Sequence, residues 1–272
     1  MEALKPDKLD IIVVAGQSNA QGCGKGPVTE EYEKDECILQ MVDDANPRFV
    51  KVDEKDVLVL DSPTTNRFEI ADESLEEDGR IGKLPLFFAK EYKKILEEDR
   101  KILIINGGVG GTGFARDEWG VGNVLYVRLL NMIKEALSLN EENRVVAFLW
   151  HQGECDTGEI PEYTLEERYQ VYKNYLMAQM KDFEKTFCFP NIPFVAGGFC
   201  EEWYLTDKVR ADAVLKATQE CCDELNGAFV VTHDLLSNNQ VLNDGDNIHF
   251  CRESLHILGK RYFDAYVNIV TR

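Results

Sequence analysis

Ser18, Asp246 and His249 are the residue types that carry out nucleophilic acyl chemistry, and their positions allow it. A serine hydroxyl attacks a carbonyl only when a neighbouring base takes its proton. Four histidines could serve as that base, namely His151, His233, His249 and His256. His249 stands apart because it closes Asp246-Asn247-Ile248-His249. On a turn or a helix start, this spacing lets the carboxylate accept a hydrogen bond from one ring nitrogen and leaves the other facing a nucleophile. The same tetrapeptide also reads as the cap of a helix beginning near Arg252; the presence of Ser18 favours the chemical reading.

Acyl transfer further requires donors aimed at the developing oxyanion, each contributing about 10²–10³ in rate. Asn106-Gly107-Gly108-Val109-Gly110-Gly111-Thr112-Gly113 supplies backbone N–H groups that can approach a ligand closely, or simply a tight turn after a strand. Trp150-His151-Gln152-Gly153-Glu154 adds the neutral amide of Gln152, and the Ser18 N–H is a third source. The glycine stretch contains a literal Gly-x-Gly-x-x-Gly at Gly108, Gly110 and Gly113, which alone is weak evidence for a dinucleotide site. Phe114 to Gly120 is a poor helix start, and Glu135 falls inside a predicted helix rather than at a strand end. Gly16-Gln17-Ser18-Asn19-Ala20 lacks the second glycine of the α/β-hydrolase elbow. No histidine pair has zinc-ligand spacing, so neither a metal nor a cofactor is expected.

The elements that must hold these residues are alternating strands and helices. Ser18 follows Asp10-Ile11-Ile12-Val13-Val14-Ala15-Gly16, a β-branched run that reads as a buried strand ending in a turn. Similar strands are predicted at 102–106, 145–150, 194–199 and 228–232. Amphipathic helices are predicted at 84–98, 123–139, 165–187, 209–225 and 252–270. The alternation predicts parallel strands with right-handed crossovers, hence a three-layer α/β sandwich on a five-stranded parallel sheet. Ser18 then lies beyond a strand's carboxyl end, where crevices form in open α/β sheets. The acidic stretch 40–80 reads as an excursion over that face, with one short apolar run at Val57-Leu58-Val59-Leu60. A single domain spanning 1–272 is expected.

Four short motifs resemble those of the SGNH hydrolase superfamily, in its carbohydrate acetylesterase and sialate O-acetylesterase branch. Gly16-Gln17-Ser18-Asn19 is similar to the first motif, and Gly110-Gly111-Thr112 with Glu118-Trp119 to the second. Trp150-His151-Gln152-Gly153-Glu154-Cys155-Asp156 resembles the third, in which Gln replaces the Asn of the wider superfamily, and Asp246-Asn247-Ile248-His249 the last. They occur in the family's order across nearly the whole chain. The resemblance implies a flavodoxin-like sandwich and metal-independent hydrolysis of acetyl esters on sugars. It implies Ser18 as nucleophile, His249 as base and then acid, and Asp246 as its orienter. It also implies an oxyanion hole from the Ser18 N–H, Gly110 or Gly111, and Gln152. Gln17, Asn19, Glu154 and Asp156 fall on motif positions that support or line the site, although the two carboxylates also read as loop surface. Trp119 either stacks on a sugar face or anchors the glycine loop in the core. Ala20-Gln21-Gly22-Cys23-Gly24 and Cys155 depart from many relatives at positions without a proton-transfer role.

Thirty basic against forty-nine acidic side chains give a net charge of −19, which repels nucleic acid and anionic lipid. An acidic shell favours neutral over anionic sugars, so acetylated xylo- or manno-oligosaccharides are the expected substrates, with sialate O-acetyl esters as the alternative. A non-catalytic carbohydrate-binding protein of the same fold and a nucleotide-dependent α/β enzyme are the rival readings. The first eight residues lack the features of a signal peptide, no apolar run spans a membrane, and the eight cysteines form no framework. Free thiols in a reducing cytoplasm are therefore expected.

Overall fold

A computed structural model of the protein describes residues 7–43, 45, 47–61, 66–73, 82–159 and 162–272. Residues 1–6 of the amino terminus, and 44, 46, 62–65 and 74–80 of the acidic excursion, lie outside the described residues.

The chain runs β1 (Lys8–Gly16), α1 (Ser18–Gln21), β2 (Ile38–Val42), β3 (Arg48–Val52), β4 (Lys55–Val59) and β5 (Arg67–Ile70). It continues through α2 (Leu84–Tyr92), β6 (Arg100–Asn106), α3 (Val124–Ser138), β7 (Arg144–His151), α4 (Leu165–Phe187) and β8 (Phe194–Gly197). It ends with α5 (Glu201–Thr206), α6 (Lys208–Glu224), β9 (Gly227–Val230), α7 (Asn238–Leu242) and α8 (Arg252–Val270). The main sheet has the order β5-β2-β6-β1-β7-β8-β9. All its pairings are parallel except that of β5 with β2. The sheet therefore has seven strands rather than five. The two additional ones, β2 and β5, come from the start and middle of the acidic excursion and are only five and four residues long.

Strand alternation sends successive β1 side chains to opposite faces. Ile11, Val13 and Ala15 pack with α3, α4 and α6, while Ile12 and Val14 pack with α2 and α8. Both faces are covered, as a parallel sheet requires. The long helices start and end within a residue of the predicted bounds, except that α2 stops at Tyr92 instead of 98; α4 begins at a capping box in which Glu167 N–H donates to Thr164 Oγ1 at 3.2 Å and Thr164 N–H to Glu167 Oε2 at 2.9 Å. Residues 57–59 form part of β4, which pairs only with β3 as a separate hairpin. Its two central turn residues, Asp53 and Glu54, have φ of 48° and 63°, the left-handed pair that a tight hairpin demands. Among the described residues no helix is long and apolar enough to cross a membrane.

Candidate active site

Three of the four motifs converge because β6, β1 and β7 are adjacent parallel strands whose carboxyl ends share one edge of the sheet. β1 leaves the sheet at Gly16, whose φ is 132°. A methyl group there would lie 2.0 Å from the His151 carbonyl oxygen, so only glycine allows the turn. Ser18 opens α1 directly afterwards, 5% exposed. Gln17 is buried and braces the turn: its Oε1 accepts from Gln152 Nε2 at 3.1 Å and from the Cys155 N–H at 3.1 Å.

The fourth motif arrives from the loop between α7 and α8, and Asn19 ties it to the serine turn. Asn19 Nδ2 donates to Glu154 Oε1 at 2.7 Å and to the Ile248 carbonyl at 3.2 Å, and its Oδ1 accepts from the Phe250 N–H at 3.1 Å. The residues on both sides of His249 are thus pinned to the neighbour of Ser18. His249 Nδ1 donates to Asp246 Oδ1 at 2.8 Å, which fixes the tautomer with a lone pair on Nε2. Asp246 Oδ2 accepts from Asn238 Nδ2 at 2.9 Å. Burial opposes ionisation of Asp246, but the hydrogen bonds from His249 and Asn238 prevail and hold it well below the usual carboxylate range. Ser18 Oγ makes no direct hydrogen bond to His249; in free enzymes such contacts often tighten only around substrate.

Other expected residues are placed less uniformly. The Gly110 N–H donates to Gln21 Oε1 at 2.9 Å, so that donor is already engaged. Gly111 has φ of 75°, and neither its N–H nor that of Ser18 meets an acceptor among the described residues. Gln152 Nε2 faces three acceptors: Asp156 Oδ2 at 2.6 Å, the Thr112 carbonyl at 3.1 Å and Gln17 Oε1. Its Oε1 is buried without a partner among the described residues. Trp119 is fully buried, edge-on to Trp150 at 5.5 Å, and donates to Thr112 Oγ1 at 3.0 Å. It therefore anchors the glycine loop and presents no face to a sugar. Such an aromatic pair contributes about 0.5–1.5 kcal/mol beyond its buried area.

Glu154 and Asp156 are buried supports rather than loop surface. Asp156 accepts from the Ala115 N–H at 2.7 Å and the Phe114 N–H at 3.2 Å, locking the segment after the glycines. Burial raises the pKa of both carboxyls, against those hydrogen bonds for Asp156 and against the Asn19 bond for Glu154. His151 is fully buried, and burial pushes it down to about 3, so its ring is neutral and only weakly basic. Tyr262 donates its hydroxyl proton to the Trp150 carbonyl at 3.0 Å, so His151 Nδ1 must donate to Tyr262 Oη at 2.9 Å.

Gln21 and Asn238 are contributors that sequence reasoning missed. Each acts on a partner brought near by the fold, and neither stands at a motif position. Beside Gln21 opens a polar cleft of about 300 Å³ lined by Asn106, Lys83, Asp43 and Arg128. Arg128 pairs with Asp43 and donates to the Gly107 carbonyl at 3.0 Å; no ion pair of Lys83 is found among the described residues.

Comparison with known proteins agrees with this architecture. The structure is similar to a protein of Arabidopsis thaliana (20% identity, 97% of this chain and 99% of that one, TM-score 0.70). It is similar to NanS (17%, 99% of each chain, TM-score 0.72) and to a carbohydrate acetylesterase from Xanthomonas citri (15%, 96% of this chain and 57% of that one, TM-score 0.60). At these identities the likeness is one of fold. A search of curated proteins found no match. The sequence itself matches the family described as carbohydrate esterase, sialic acid-specific acetylesterase, over residues 8–268. The chain belongs to that family, and it is a carboxylic ester hydrolase.

Proposed function

We propose that this enzyme removes O-acetyl groups from carbohydrates through an acyl-enzyme on Ser18. The observation that carries the reading is the Asp246–His249 pair, fixed in the base-competent tautomer and tied through Asn19 to the serine turn. His249 Nε2 takes the Ser18 proton as Oγ attacks the acetyl carbonyl. The tetrahedral intermediate collapses, the sugar oxygen leaves with that proton, and acetate stays on Ser18 as an ester. Water, deprotonated by the same nitrogen, then attacks the ester and releases acetate with return of the proton to Ser18. Asp246 stabilises the imidazolium in both halves without itself taking the proton. We assign the oxyanion hole to the Ser18 and Gly111 N–H groups, which meet no competing acceptor among the described residues. Gly110 enters only if Gln21 releases it, and Gln152 only if its nitrogen gives up one of three acceptors.

Two sugar classes remain distinguishable by experiment. The net charge of −19 supports neutral acetylated xylo- or manno-oligosaccharides. The family match supports an acidic sugar such as an O-acetylated sialic acid. Acetate release from acetylated xylo-oligosaccharides, O-acetyl sialic acid and p-nitrophenyl acetate tests both points. Ser18→Ala is expected to lose at least about a thousandfold in kcat on every substrate. Equal rates in wild type and variant would sink the mechanism, and sugar binding without turnover would establish the non-catalytic alternative.

A further inference from the structure

We propose that Phe49, on the β3–β4 hairpin, limits the length of the acyl group this enzyme accepts. The inference rests on the acyl-enzyme reading above and adds a residue that no motif contains. Its basis is a juxtaposition on either side of one dipeptide. A methyl group built on Gly110 would lie 3.5 Å from Ser18 Cβ, and one built on Gly111 would lie 3.7 Å from Phe49 Cε2. The nucleophile and the Phe49 ring therefore border the same two glycines. Arg116 Nη1, donating to the Gly111 carbonyl at 3.1 Å, holds that peptide in place.

The orientation of α1 decides which part of a substrate meets this wall. Residues two apart on a helix point about 200° away from each other. Asn19 binds Glu154 and the His249 loop, whereas Gln21 binds the Gly110 N–H, so these two partners flank the serine turn on opposite sides. The leaving oxygen must lie at His249, because it departs with the proton held there. With the oxyanion held at the Gly111 N–H, we place the acyl substituent on the side away from His249, where it passes Gly111 and meets Phe49.

The hairpin is built to hold the ring there. Phe49 pairs across the hairpin with Leu58, and directly opposed residues share a face. Leu58 packs against the main core, whereas Phe49 is half-buried and is not part of that core. Lys51 pairs with Asp56 on the same face at 2.8 Å. The Leu58 contact anchors the hairpin, and the aromatic ring beside it faces the glycines.

The test compares kcat/KM for p-nitrophenyl acetate, propionate and butyrate in wild type, Phe49→Ala and Phe49→Leu. One methylene in an apolar pocket discriminates by roughly tenfold or more. The butyrate-to-acetate ratio is expected to rise about tenfold or more in Phe49→Ala and by less in Phe49→Leu. Should the alanine variant fail to fold, as judged by its thermal melt, the leucine variant carries the test. An unchanged ratio in folded, Ser18-dependent enzyme overturns this proposal alone. A loss confined to sugar acetates, with the aryl-ester ratio intact, also overturns it by placing the ring on the leaving sugar. Absence of Ser18-dependent turnover overturns it together with the proposed function.

Discussion

At the amino end of β1 the Asp10 carboxylate is fully buried and three neighbouring side chains donate to it. Arg100 Nε donates at 2.6 Å, Arg144 Nε at 2.7 Å and the Tyr92 hydroxyl at 2.7 Å. Beside the carboxyl end of the same strand, where β7 ends next to it, the polar groups are as well buried but incompletely matched. His151 Nε2, Gln152 Oε1 and Glu154 Oε2 have no hydrogen-bond partner among the described residues. Burial also raises the pKa of Glu118, Glu154 and Asp156, so these carboxyls resist ionisation. A satisfied polar cluster fixes geometry; an unsatisfied one in the interior costs stability, about 1–3 kcal/mol per group, and is retained where chemistry needs it. One strand thus carries a structural knot at its start and the candidate active site at its end.

The strongest way to break that comparison is at the reactive end. Asp246→Asn should lower kcat by up to about ten-thousandfold, because the amide stabilises the wrong tautomer and no imidazolium. The thermal melt should move little. A large loss of stability with retained turnover would mean that Asp246 belongs with the structural clusters.

Asp10→Ala should do the reverse. It leaves Arg100 buried without a counter-charge, which costs about 3–5 kcal/mol of folding stability. Denaturant unfolding measures this, and kcat per folded molecule should be unchanged. A fall in kcat at constant stability would show that the two ends of β1 are coupled.

The smallest effect sharpens the comparison through pH. Burial pushes Glu118 up to about 7, against the Gly113 N–H that donates to its Oε2 at 2.8 Å. The folded protein therefore keeps this proton to near neutrality, while the unfolded chain loses it near pH 4.3. Across that window the folded state binds more protons, so stability falls as pH rises. Glu118→Gln should make no difference at pH 4 and stabilise by up to about 3 kcal/mol at pH 8. A difference independent of pH would show that the residue acts by packing alone.

Much of this was legible because local patterns suffice where one element decides the outcome. The β-branched run before Gly16 is a strand, and α4 and α8 span 165–187 and 252–270 as their apolar spacing predicts. Asp246 and His249 are three residues apart, so their hydrogen bond is nearly local. The excursion was less legible, since β2 and β5 become strands only by joining the edge of a sheet already formed by β6. Trp119 was ambiguous because the same ring suits a core or a sugar; its burial against Trp150 decides between them.

By itself the sequence determined the residue types, their order along the chain and the alternation that makes a parallel sheet. Only the tertiary structure decided which of those residues meet. Strand order sets β6 and β7 on either side of β1, and side-chain amides such as Asn19, Gln21 and Asn238 choose partners up to hundreds of residues away. The physical reason is that buried polar groups must be satisfied by whatever donor or acceptor the packed chain brings within about 3 Å. No linear pattern records that neighbour.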